Sequence, residues 1–324
     1  MVTSGGRVRR SLRRRIAEVT AVTPKATCSE TLSVTINKPF RGPASTLSGR
    51  GASPHVDTTP IPVLTMSRTM TPPLLASDEP PAFEVIEDQA NSPFLITCDH
   101  AGKRLPRALG TLGLPESELS RHIAWDLGAA QVARLLAREL GAFAIWQTYS
   151  RLVIDCNRPL DVPSSIPVIS EYTVIPGNQE LSAAQKAERA RAIFHPYHDR
   201  IVSEFARRAR VAQPSVFIAM HSFTPTFKGV SRPWHTGMLY NRDVRLGRAL
   251  IELLRGQGLV VGDNEPYSVS DLSDYGVVVY GEKRGIAHVE IEIRQDLLES
   301  ESGQIEWAKR FARLLPAACA GIAL

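Results

Sequence analysis

Two histidines stand where chemistry would be expected. His100 follows the apolar run 94–98 and His221 follows the run 216–220, and small residues come soon after each. Short apolar runs without polar alternation read as strands covered on both faces. In open α/β sheets, ligands collect beyond the carboxyl ends of the strands. His100 and His221 would then meet at one edge of a sheet, and imidazole nitrogens are the commonest ligands of catalytic zinc. Taken singly, each reads more simply as a core or turn histidine with a satisfied hydrogen bond.

A third ligand must be an acid or another histidine. Asp126, within HIAWDLGA (122–129), interrupts an otherwise apolar helical pattern. Facing inward it needs a metal or another cation, because an unpartnered buried acid is costly; facing outward it is an ordinary solvated acid. Asp99 is the rival ligand, or else a group that fixes a histidine tautomer. The stretch SRLVIDCNRP (150–159) puts Asn157 and Arg158 at another strand end. A guanidinium and an amide suit a substrate carboxylate, while an ion pair of Arg158 with Asp155 or Asp161 is the plainer account. In HVEIEIR (288–294), Glu290, Glu292 and Arg294 share one strand face. That face is either a solvated edge or the flank of a metal site, where a glutamate takes a proton from water.

These residues need a scaffold. Strands are expected at 94–98, 142–147, 152–155, 216–220, 236–240, 259–261 and 287–293. Helices are expected at 116–140, stopped by Gly141, and at 182–210, opened by a Ser182–Gln185 capping box and kinked at Pro196. Two more are expected at 244–254 and 303–318. The alternation predicts an α/β fold, a mainly parallel or mixed central sheet flanked by helices.

Charge is unevenly placed along the 324 residues. Residues 1–70 hold 11 of the 38 Lys and Arg but only three of the 33 acids, leaving 27 basic against 30 acidic residues beyond. Nucleic-acid binding would need a basic folded surface, so it is not expected. Residues 1–80 read as a disordered basic extension with too little apolar periodicity to fold. A transit segment, or a true start at Met66 or Met70, fits the same composition. Residues 81–324 read as a single α/β metallohydrolase domain. No apolar run approaches the roughly 20 residues of a membrane helix. Cys28, Cys98, Cys156 and Cys319 form no CxxC pair, which suits free thiols in a reducing, cytoplasmic setting.

Taken together, residues 85–315 resemble the N-formylglutamate amidohydrolase family, a branch of the zinc carboxypeptidase-like (phosphorylase/hydrolase-like) hydrolases. The carrying motifs are CDHAGKRLP (98–106), HIAWDLGA (122–129), YSRLVIDCNRP (149–159), PYH (196–198), MHSFTP (220–225), RPW (232–234), GDNEPY (262–267) and VEIEIRQDL (289–297). The resemblance implies one zinc per chain held by His100, Asp126 and His221, with Glu292 as general base. Asn157 and Arg158 would hold a substrate carboxylate, and Arg151 would assist. Arg151 or Arg294 would stabilise the oxyanion, and Arg294 is counted with the substrate-binding residues. The expected reaction is hydrolysis of the N-formyl-type amide of a small amino acid such as N-formyl-glutamate. Other readings are a carboxypeptidase or deacylase acting on different acylated amines or peptides, and an inactive member that binds a small carboxylate. No oligomeric state follows.

Two positions depart from the expected pattern: Lys103 replaces a glutamate three residues after the first histidine, and Tyr280 stands where close relatives would carry a histidine. Among the other histidines, His122 is placed to orient Asp126 or is an ordinary helix residue, and His195 and His198 suit packing at the kink. His235 lies near the pocket through RPWHTG, and His288 has no catalytic role. Ser222 lacks a nucleophile-elbow setting.

Overall fold

Residues of the run FLITC are all buried, as they must be when both faces of a strand are covered. The computed structural model describes residues 73–86 and 92–322. Residues 1–72 of the expected extension lie outside these. Residues 73–80 lie within them: Leu74 is buried and its N–H donates to Glu188, while the Pro80 carbonyl accepts from the Tyr149 hydroxyl.

The strands are β1 (Phe83–Ile86), β2 (Phe94–Cys98), β3 (Phe143–Gln147), β4 (Ile169–Ser170), β5 (Thr173–Val174), β6 (Val216–Phe223), β7 (Thr226–Phe227), β8 (Val230–Ser231), β9 (Thr236–Leu239), β10 (Val261–Asp263) and β11 (His288–Arg294). Seven form one sheet in the order β1-β3-β2-β6-β11-β9-β10, and β4–β5 and β7–β8 are separate two-stranded hairpins. Strands β3, β2, β6 and β11 run parallel, while β1 and β9 are antiparallel to their neighbours β3 and β11. The sheet is therefore mixed with a parallel centre, and the four central carboxyl ends share one edge.

The helices are α1 (Glu116–Leu119), α2 (Ala129–Leu140), α3 (Ala183–Arg189), α4 (His195–Arg210), α5 (Arg245–Arg255) and α6 (Glu301–Ala320). Side-chain alternation along the strands sorts the core into two layers. Ile96, Ile218, Met220, Val289, Ile291 and Ile293 pack with α2, α5 and α6 through Leu136, Leu250 and Phe311. Leu95, Phe143, Phe217 and Ala219 pack on the other face with Tyr197, Ile201 and Phe205 of α4. Each such large side chain contributes about 1.5–3 kcal/mol by leaving water. The same period decides where the polar residues go. His221 follows Phe217 and Ala219 onto the α4 side, and Glu290 and Glu292 point there too.

Three expectations are corrected. Residues 152–155 form a turn and not a strand: Ser150 Oγ accepts from the Leu152 N–H and the Ser150 carbonyl accepts from the Val153 N–H. A serine side chain that captures its own backbone competes with ladder pairing. The helix expected at 116–140 is broken into α1 and α2, because Gly128 takes φ 77 and the Leu298 side chain occupies the space a Cβ would need. Asp126 thus lies in a loop. The strand expected to end at residue 220 runs on to Phe223, so His221 is inside β6. The Ser182 capping box is present in full, and the Pro196 kink is a widened π-helical turn at Ala190–Phe194 that leads into α4.

Candidate metal centre and cleft

Two loops and one strand converge at the shared carboxyl edge. The Asp126 N–H donates to the His100 carbonyl at 2.9 Å, which ties the two loops together, and Asp126 Oδ2 accepts from the Ser222 N–H at 3.3 Å. His100 Nδ1, His221 Nδ1 and Asp126 Oδ2 form a triangle with edges of 3.2, 2.9 and 3.4 Å. All three residues are buried. Ligands about 2.0–2.1 Å from a tetrahedral zinc stand roughly 3.3 Å apart, so the triangle has the size of a zinc face.

The partners behind the imidazoles suit a cation at its centre. His100 Nε2 is 2.7 Å from Asp155 Oδ1, a carboxylate placed to take its hydrogen and leave Nδ1 for the triangle. His221 Nε2 faces Asp99 Oδ2 at 3.5 Å, and Asp99 Oδ1 accepts from the Tyr197 hydroxyl at 2.7 Å. Two imidazole nitrogens and a carboxylate oxygen aimed at one point need a proton or a cation between them. The residues therefore fit a divalent ion. Asp99 lies behind His221 Nε2 and outside the triangle.

The charges tell the same story. Burial opposes ionisation of Asp126, but the charge and hydrogen bonds of His100 and His221 outweigh it and hold its carboxyl far below the usual range. Burial alone would lower the His221 imidazole; the charge of Glu290, the hydrogen bond to Asp126 and the Asp99 carboxylate beside it raise it well above its ordinary value. The site draws in a proton where a metal would supply the charge.

Glu292 is the register partner of His221 across β6 and β11. It is buried, and its Oε2 bonds to nothing among the described residues. Burial pushes its carboxyl well up, reinforced by Asp126 and Glu290. Glu290 is pushed up to about 7 by burial together with the charges of Asp274 and Asp99.

Of the remaining expected site residues, Arg151, Asn157 and Arg158 line the same cleft of about 670 Å³. Arg151 donates from Nε and Nη2 to Asp155 Oδ2 at 3.1 and 2.7 Å, and its Nη1 lies 3.6 Å from Asp126 Oδ1. The Asn157 amide is committed to structure. Its Oδ1 accepts from the Tyr275 and Gly276 N–H groups, and Nδ2 faces Glu290 and Asp274 at 3.3 and 3.5 Å. Arg158 Nη1 donates to the Asn157 carbonyl at 2.9 Å and lies 3.5 Å from Asp274 Oδ1, while its Nε and Nη2 have no partner among the described residues. Arg294 does not join the site. It grips Asp296 and the carbonyls of Arg232, Pro233 and Trp234, and it is absent from the cleft lining.

Asp155 is the residue that sequence reasoning passed over, having been read only as a partner for Arg158. A usable signal was an acid set between the apolar Ile154 and Cys156, both buried here. Tyr280, Lys103 and three histidines fall outside the chemistry. Tyr280 is in the core behind the cleft, its hydroxyl 2.6 Å from His198 Nδ1. Lys103 turns its ammonium towards Trp125. His235 and His288 bond to backbone, and His195 is exposed.

The rim is built from the two hairpins. The Glu171 carboxylate accepts from the Lys228 N–H at 3.2 Å and from the Arg121 guanidinium, while Phe227 packs edge-on to His122. No helix of the described residues is long and apolar enough to cross a membrane.

Comparison with known proteins agrees with this geometry. The N-formylglutamate amidohydrolase family model matches residues 92–299. A gene product from Agrobacterium tumefaciens is similar at 37% identity, covering 76% of this chain and 98% of that one, with a TM-score of 0.73. The N-formylglutamate amidohydrolase from Ralstonia eutropha JMP134 shares the fold at a TM-score of 0.57 and 18% identity, covering 74% of this chain and 99% of that one. No curated protein matches. With most of the described chain inside the matched region and the His100–Asp126–His221 triangle at its centre, the chain belongs to the N-formylglutamate amidohydrolase family.

Proposed function

We propose that the chain is a zinc-dependent amidohydrolase that removes an N-formyl-type acyl group from a small amino acid with a free carboxylate. The observation that carries this reading is Glu292: a buried carboxyl oxygen with no protein partner, beside a buried His, Asp, His triangle. When bound, zinc supplies a Lewis acid that makes water acidic near neutral pH and polarises a carbonyl oxygen. His100, Asp126 and His221 hold it, with Asp155 and Asp99 fixing the two imidazoles. Glu292 takes the proton from the attacking water as its oxygen bonds to the acyl carbon. The C–N bond breaks, and Glu292 returns that proton to the departing nitrogen. Products are the acyl group's carboxylate and the free amino acid. Arg151 places positive charge beside the developing oxyanion. Arg158, with N–H groups to spare, receives the amino acid's carboxylate.

Cleft size favours a second reading. A volume of about 670 Å³ is in the range of drug-sized ligands, more than an N-formyl amino acid of about a dozen heavy atoms fills. A deacylase acting on larger acylated amines or short peptides would use the same groups. Elemental analysis of the purified protein, paired with turnover on N-formyl and N-acetyl amino acids and short peptides, tests both. Near-stoichiometric zinc and turnover of formyl substrates is the expected result; metal without turnover of any member removes the hydrolase reading. Glu292→Gln is expected to keep its zinc and lose about 10²–10⁴-fold in rate. His221→Ala is expected to lose both zinc and rate while staying folded.

A further inference from the structure

Two motifs, RPW at 232–234 and GDNEPY at 262–267, have no part in the chemistry so far, and in the structure they meet. Arg232 is 8% exposed. Its guanidinium lies 4.7 Å from the ring centroids of both Phe227 and Tyr267 and 5.8 Å from that of Phe223. Its Nη1 donates to the Tyr267 hydroxyl oxygen at 2.8 Å, and among the described residues it pairs with no carboxylate. A guanidinium is costly to bury without an opposite charge. Here three aromatic faces and one phenol oxygen replace that charge.

The arrangement leaves the phenol with one free function. Its oxygen accepts from Arg232, so its own O–H is turned to donate, and among the described residues that hydrogen has no acceptor. Tyr267 lines the cleft with Glu292 and Arg151, and those two are among the charges that act on it. Gly237 and Gly262 make this placement possible, since a Cβ on either would meet the Glu265 carbonyl oxygen at 1.9 or 2.4 Å. The loop carrying Tyr267 thus lies directly on the sheet.

We propose that Tyr267 donates a hydrogen bond to the substrate's reacting amide, with Arg232 as the positioning residue that holds the phenol and draws charge from its oxygen. The proposal rests on the amidohydrolase reading for the reaction but not for the donor itself. A donor aimed at developing charge is worth about 10²-fold or more in rate.

The test uses the full chain loaded with zinc and reads kcat, KM, zinc content and affinity for acetohydroxamate by calorimetry. Tyr267→Phe is expected to lower kcat about 10²-fold with KM and zinc content little changed, and to weaken acetohydroxamate about 10-fold. Arg232→Met should act in the same direction, and the double variant should be no worse than Tyr267→Phe alone, because the pair works as one unit. An unchanged kcat in Tyr267→Phe overturns the proposal. Should the natural chain turn over no substrate, the amidohydrolase reading fails by itself and the hydroxamate measurement decides: weaker binding by Tyr267→Phe retains the donor, and equal binding removes it. Where Arg232→Met does not fold, Arg232→Lys takes its place, with partial loss expected.

Discussion

The Asp155 carboxylate accepts four hydrogen bonds behind the triangle. It accepts from His100 Nε2, from two nitrogens of Arg151 and from the Asn157 N–H. An asparagine there would keep the shape but lose the charge, and would compete for the wrong imidazole tautomer. Asp155→Asn should therefore weaken zinc binding about 10–100-fold, measured by competition with a chromogenic chelator; unaltered affinity would reduce Asp155 to a packing residue. At this scale the meeting of His100 and His221 was legible, because the two end apolar runs at equivalent places, while the residues alone left Asp126 and Asp99 as rivals for the third corner. The roles of Asp155 and Asn157 were not legible, because a side chain's partner is chosen by the turn around it. Ser150 made that turn by bonding its own backbone.

At the level of elements, the site depends on a loop pressed onto bare strands. Gly237 in β9 and Gly262 in β10 carry no side chain where the 264–267 loop crosses them. Gly237→Ala should lift that loop and displace Tyr267, costing about 1–3 kcal/mol of stability by overpacking and lowering kcat more than it affects zinc content. Denaturant melts and steady-state kinetics check both; native kcat would mean the loop does not need the close approach. Most elements were readable from period and caps, as the Ser182 box and the α5 and α6 spans show. The break between α1 and α2 was misread because Gly128 sits within a periodic apolar pattern that hides its positive φ. The direction of β9 was unreadable too, since a four-residue apolar run carries no sign of which way it points.

Across the whole molecule, stability should respond to acid through a group outside the His100–Asp126–His221 triangle. His198 ties α4 to the site loop, with Nε2 3.0 Å from the Cys156 carbonyl. Burial pulls its imidazole down from 6.5 to about 4. Between those values the unfolded chain binds the extra proton and the native chain does not, so stability rises with pH across the window and falls on acidification. The full effect is about 3 kcal/mol. His198→Gln should flatten urea-melt stability between pH 6.5 and 4.5; an unaltered slope would assign the acid sensitivity elsewhere. The α/β class and the mixed sheet flanked by helices were foreseeable at this scale, because burial on both faces leaves its mark on β2, β3 and the first part of β6.

The hairpins at the rim have a separate significance. Strands β4, β5, β7 and β8 have two residues each, none of them belongs to the main sheet, and Glu171 links the hairpins across the cleft mouth. Because they contribute so little to the core, their length and sequence, Phe227 beside Arg232 excepted, can vary while the sheet edge stays fixed. Relatives with different appetites should diverge there first, trading one guest for another without rebuilding the house.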